Sequence, residues 1–162
     1  MGIFAQKDPN AEEPGVDELF GVGAIAKIHK VWRLPDGSVR LIVQGVSRAT
    51  MGDVVQSKPH LRAALKPLED RGEADAMAVQ AMCRSVHQQF QSMVKMLPHL
   101  PDELQIMVVN IDHPGRLADF IASNLDLQIE EHQRLLEALE IEERLDAKLA
   151  QHGVDQGAAA RL

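Results

Sequence analysis

The sequence contains one cysteine, one tryptophan and no tyrosine, and aromatic residues make up only 3% of its 162 positions. A single cysteine excludes an internal disulfide framework. Apolar runs stay shorter than the roughly 18 residues a membrane span needs, so no membrane contact is expected. The opening "MGIFAQKDPNAEEPG" lacks the basic start and apolar stretch of a signal peptide, which points to a cytoplasmic location. Lysine and arginine form no cluster and the formal net charge is −7. Neutralising phosphates needs concentrated positive charge, so nucleic acid is not an expected partner. G-x-S-x-G, H-E-x-x-H and G-x-x-x-x-G-K-[ST] do not occur, and with them go the usual signs of a nucleophile, a zinc site or a phosphate cradle. No catalytic residue, cofactor or metal is expected.

What remains is 45% hydrophobic, enough for one domain or two small subdomains with a core. Composition changes near residue 70. Before it, "GVGAIAKIHKVWRL" (21–34) and "SVRLIVQGVSRAT" (38–50) read as two strands joined by Pro35-Asp36-Gly37. Proline pre-sets the first turn dihedral and glycine accepts positive φ, so a type I turn with a glycine bulge is the expected closure. That closure pairs Leu34 with Ser38, Trp32 with Arg40, and Val31 with Leu41. A further strand is expected within 51–70, interrupted around Ser57-Lys58-Pro59.

After residue 70 the spacing is helical. From Glu73 to Leu97 one apolar stripe carries Val79, Met82, Cys83, Val86, Phe90, Met93, Val94 and Leu97. Pro98 and Pro101 interrupt it, and a short helix follows at about 102–110. Asp112 is the expected N-cap of a helix bearing Leu117, Phe120, Ile121 and Leu125. One more helix carries Ile129, His132, Leu135, Leu136 and Leu139, and another carries Ile141, Leu145 and Leu149 before Gly153. The charged faces of these last helices are expected in solvent. The fold class is α+β: a twisted N-terminal β-sheet followed by a C-terminal α-helical bundle. The expected division is 1–70, 71–152, and a frayed tail over 153–162.

Three patterns resemble chemistry but have plainer structural readings. "GVGAIA" (21–26) matches G-x-G-x-x-A, yet it opens a strand rather than joining a strand to a helix, where the pyrophosphate would sit. Cys83 and His87 are four apart on one helix without the further ligands zinc requires. In "IDHPGRLADF", Asp112 reads as a cap and Arg116 with Asp119 as a surface pair, in preference to a small acid–base site built on Asp112, His113 and Asp119.

Three longer stretches together resemble one family. "FAQKDPNAEEPGVDELFGVGAIAKIHKVWRLPDGSVRLIVQGVSR" (4–48) resembles the β-subdomain of the N-terminal, substrate-binding domain of Lon, the ATP-dependent protease. "HPGRLADFIASNLDL" (113–127) is similar to that family's helical signature and "HQRLLEALEIEERLDAKL" (132–149) to its final helix pair. The resemblance implies a PUA-like, partly closed β-barrel subdomain. It also implies a role in binding unfolded or damaged protein substrates and in oligomer assembly, beside the ATPase and Ser–Lys peptidase modules of a holoenzyme. Those modules are not among these residues, so the resemblance places no catalytic residue here. The family's first strand and helix are also missing before the Gln-Lys-Asp-Pro loop. This is the pattern of a shortened piece, or of a stand-alone LON-domain adaptor or receptor. An open sheet edge in place of the missing strand would favour self-association, with "GIFAQ" available for exchange with a neighbour.

Such a role needs exposed apolar surface and adaptable side chains; seven methionines fit either a pliable surface or a loose core. The expected hairpin register places Val39, Leu41 and Val43 with Val31 and His29 on one face, the better core candidate. Trp32 falls on the other, with Ile28, Ile42, Lys30, Gln44 and Arg40, whose guanidinium could stack on the indole. The candidate polypeptide-contact surface is therefore Trp32, Leu34 and Arg40, with a second buried layer around Trp32 as the alternative.

Overall fold

β-Branched runs broken by turn residues form four strands: β1 (Gly2–Ile3), β2 (Val22–Arg33), β3 (Val39–Gln56) and β4 (Arg62–Leu68). The computed structural model describes residues 1–97 and 100–145. The strands make one antiparallel sheet in the order β1-β2-β3-β4. The strand expected at 38–50 runs on to Gln56 before the chain turns at 57–61. Between Glu69 and Asp70 the chain divides into two compact units.

In the sheet unit the fully buried apolar side chains are small, Ala26 and Ala49. They lie where β1 and β4 flank the central pair. Gly23 explains the "GVGAIA" pattern. A Cβ at this position would collide with the Ile3 carbonyl and the Phe4 ring. The glycine therefore admits the N-terminal strand rather than a phosphate. "GIFAQ" is bonded within its own sheet: Ala26 N–H donates to Met1 O at 2.7 Å and Phe20 N–H to Ala5 O at 2.9 Å.

The helical unit contains α1 (Met77–Met96), α2 (Glu103–Val109), α3 (Pro114–Ala122), α4 (Ile129–Glu137) and α5 (Ile141–Leu145). α1 starts later than its apolar pattern suggests because Ala76 N–H donates to Glu73 O in a preceding turn. The stripe of α1 converges with Leu104, Val108, Leu117, Ala118, Ile121, Leu125, Ile141 and Leu145 in one buried cluster. Each fully buried valine or leucine contributes about 1.5–3 kcal/mol there. Phe90 meets Phe120 edge to face, with centroids 6.0 Å apart. Among the described residues, no helix is long and apolar enough to cross a membrane.

Several local expectations are corrected here. His113, not Asp112, is the N-cap of α3, because Pro114 occupies the first helical position and holds the residue before it extended. On α4 the buried side chain is Gln133, with its amide donating to Glu137 Oε1 at 2.7 Å, while Ile129 and His132 are exposed. The charged face of α5 is not wholly solvated either. Arg144 is 1% exposed, with Nη2 2.6 Å from Asp70 Oδ1 and Nη1 3.4 Å from Asp119 Oδ1. Asp119 thus faces Arg144 instead of pairing with Arg116. Gly115 completes the arrangement, since a Cβ there would collide with the Asp70 carboxylate and lie 3.2 Å from Arg144 Nη2. The "HPG" of the sequence brings that carboxylate over the first turn of α3, where the helix dipole favours negative charge. Pro98, His99, Leu149, Gly153 and the expected tail lie outside the described residues.

Candidate polypeptide-contact surface

The β2–β3 hairpin is set by its turn. Gly37 takes φ 84°, donating its N–H to Leu34 O at 3.0 Å, and Leu34 N–H donates to Ser38 O at 2.9 Å. Asp36 Oδ1 accepts from Ser38 Oγ at 2.7 Å and from Ser38 N–H at 2.8 Å. The Ser38 hydroxyl first, and then its N–H, hold the Asp36 carboxyl below its ordinary value, since both favour the charged form. The register follows as expected, with Trp32 opposite Arg40 and Val31 opposite Leu41.

Three residues past that pairing the alternation breaks. Lys30 pairs with Ile42 but Ile28 pairs with Val43, leaving His29 as the extra residue of a bulge. One inserted residue moves everything beyond it to the opposite face. Ile28 therefore joins Val31, Val39, Leu41 and Val43, and His29 leaves them, its Nε2 2.8 Å from Gln44 Oε1. The expectation that this aliphatic face is core is overturned: its five side chains are 38–55% exposed. The reason is local geometry. β1 pairs with β2 only at Ala24 and Ile25, and β4 pairs with β3 only from Arg48 onward. Beyond those points the hairpin is a two-stranded arm, with no flanking strand among the described residues.

The opposite face carries Trp32, Lys27, Lys30, Arg40, Ile42 and Gln44 by register. Trp32 is 39% exposed, so it is not a second buried core residue. The cation over its ring is Lys30, with Nζ 5.0 Å from the centroid. Residues two apart on a strand share a face, and that neighbour on the same strand takes the position expected for Arg40 across the pair. Leu34 is half-buried and Arg40 exposed. Trp32 and Arg40 thus share one face as an opposed pair, and Leu34 follows the end of β2 at the turn. Sequence reasoning missed Lys30 as the cation and Ile28 as part of the aliphatic face, and only the bulge could have revealed the latter.

Cys83 is buried, and burial pushes its thiol pKa up despite the opposing charge of Arg84. His87 Nε2 lies 2.9 Å from Val108 O, which gives the imidazole a tie to α2. No group of three potential metal ligands occurs among the described residues.

The family model described as the ATP-dependent protease La (LON) substrate-binding domain matches residues 1–150. The chain belongs to this family. A Lon protease from Desulforamulus reducens is 37% identical over 144 residues, covering 89% of this chain and 18% of that protein. One from Dictyoglomus thermophilum is 37% identical over 145 residues, covering 90% of this chain and again 18% of the relative. The chain thus spans about a fifth of the length of these proteases. In fold it is similar to the N-terminal domain of the Mycobacterium avium complex Lon protease, with a TM-score of 0.71 at 22% identity, covering 96% of this chain and 90% of that one. The antiparallel sheet followed by helices is accordingly a LON N-terminal fold.

Proposed function

We propose that this chain is the non-catalytic substrate-recognition and oligomer-assembly domain of a Lon-type ATP-dependent serine protease, acting in the cytoplasm on unfolded or damaged polypeptides. The observation that carries the proposal is the hairpin arm, which exposes aliphatic side chains on one face and a tryptophan on the other in a LON-family chain. Large solvent-facing apolar surface on a folded protein marks a contact site. Exposed Met1, Met77, Met96 and Met107 add adaptable apolar side chains elsewhere. In this reading Trp32, Leu34 and Arg40 contact the captured polypeptide, with Lys30 beside them. The sheet belongs to a partly closed, PUA-like barrel and the helices to a bundle that links it to ATPase and peptidase modules. Self-association would then assemble several such surfaces around one machine.

The test is capture of a reduced, carboxymethylated, permanently unfolded protein by the 162-residue chain, measured by fluorescence anisotropy. Micromolar binding, weakened several-fold by Trp32→Ala with no more than a small change in the melt, is expected. No binding by the wild-type chain would sink the proposal.

A further inference from the structure

The edge of the hairpin arm has a direction and a chemistry. Met1 and Ala26 exchange main-chain hydrogen bonds of 2.7 Å each way, so the Ala26 amide and carbonyl point away from β3. At the other end, Leu34 N–H donates to Ser38 O, so the Leu34 main chain points toward β3. Alternation between these two ends, with the bulge at His29 counted, directs the main-chain groups of Ile28, Val31 and Arg33 outward. Among the described residues no strand pairs with this stretch. An open edge of this kind is a template for one more strand.

Which strand fits is decided by the two faces. An added strand would place alternate side chains beside Ile28 and Val31, against the exposed aliphatic face backed by Val39, Leu41 and Val43. Its intervening side chains would fall beside Lys27, Lys30 and Trp32, with Arg40 behind. In a chain of net charge −7, residues 27–44 carry Lys27, Lys30 and Arg40 on that face and Arg33 beside Val39 on the other, against the single carboxylate Asp36. A second copy pairing edge to edge would bring like charges together, and lysines on an edge are a common guard against that. A strand bearing acidic residues at those positions would meet complementary charge instead.

We infer that the β2 edge from Ile28 to Arg33 captures an extended polypeptide segment of alternating aliphatic and acidic residues as an added strand. This deepens the polypeptide-binding reading and rests on it.

The test titrates the 162-residue chain with capped heptapeptides and follows the emission of Trp32, the only tryptophan. One peptide alternates valine with glutamate, a second alternates valine with lysine, and a third is the glutamate peptide N-methylated at every other amide, prepared in both phases. The glutamate peptide should bind at least tenfold tighter than the lysine peptide, and one phase of N-methylation should cost at least tenfold. The double variant Lys27→Glu/Lys30→Glu, altered only at exposed positions, should reverse the charge preference. Val31→Pro, which removes an outward N–H, should weaken binding with the circular dichroism spectrum retained. Equal binding of the two charge types, or indifference to both phases of N-methylation, would overturn the inference. So would a dimer in sedimentation that Val31→Pro dissociates, because the edge would then serve a second copy. If the unfolded carboxymethylated protein still binds in those cases, the edge mode fails and the substrate-binding role stands. If it does not bind either, the role itself fails.

Discussion

In the helical unit Val79, Val86 and Leu117 are enclosed by neighbouring helices, whereas in the sheet unit Val31, Val39 and Leu41 stand largely in solvent on a two-stranded arm. The residue types are the same. What differs is the number of elements that converge on them. An apolar stripe on a helix is buried once other helices supply matching stripes, and here α1, α2, α3 and α5 all do. A strand face is buried only under a second layer, and a two-stranded ribbon by itself is marginal in water. The helical unit therefore spends its apolar residues on stability, and the arm leaves them available for contact.

Leu117→Ala should show the largest effect, since this fully buried side chain sits amid the helical core. A loss of about 2–5 kcal/mol is expected in urea melts, and a loss below 1 kcal/mol would remove the basis of the comparison. The Arg144 cluster sharpens it. Asp70→Ala should cost about 3 kcal/mol by leaving a buried guanidinium short of charge. Arg144→Met should cost less, about 2 kcal/mol, because Asp70 and Asp119 are partly solvated and can rehydrate. The reverse order would show that the carboxylates, not the guanidinium, carry the desolvation burden.

On the arm, Trp32→Ala should cost no more than about 1 kcal/mol, mostly the cation–π contact with Lys30 and partial burial. A loss as large as that for Leu117→Ala would mean that the arm is covered. The smallest effect concerns the turn. Because Ser38 lowers the Asp36 pKa, the folded carboxyl should titrate below 3.8. Its contribution is fully present above the unfolded value and fades as pH falls through the lowered folded midpoint. A midpoint at or above 3.8 in an NMR titration would show that the Ser38 bonds do not hold in solution.

Much of the fold was legible. Pro35-Asp36-Gly37 specified the turn and with it the pairing of Trp32 with Arg40, because turn chemistry is local. The α1 stripe named its buried side even though the helix starts at Met77, since a 3.6-residue period survives an error in the boundary. The family was legible too, through motifs spread along the chain. The arm's faces were not, because a one-residue bulge has no marker in "AKIHKVWR" yet exchanges Ile28 and His29 between them.

The sequence by itself determined the turn, the helical periodicities, the change from strands to helices near residue 70, and membership of the LON family. Each depends on residues close together in the chain or on patterns retained along it. Only the tertiary structure decided that Arg144 is buried against Asp70 and Asp119, that Gly115 must lack a side chain, and that the aliphatic face of the hairpin remains in solvent. Burial depends on which distant segments arrive to cover a side chain, and no residue's identity or local spacing contains that information.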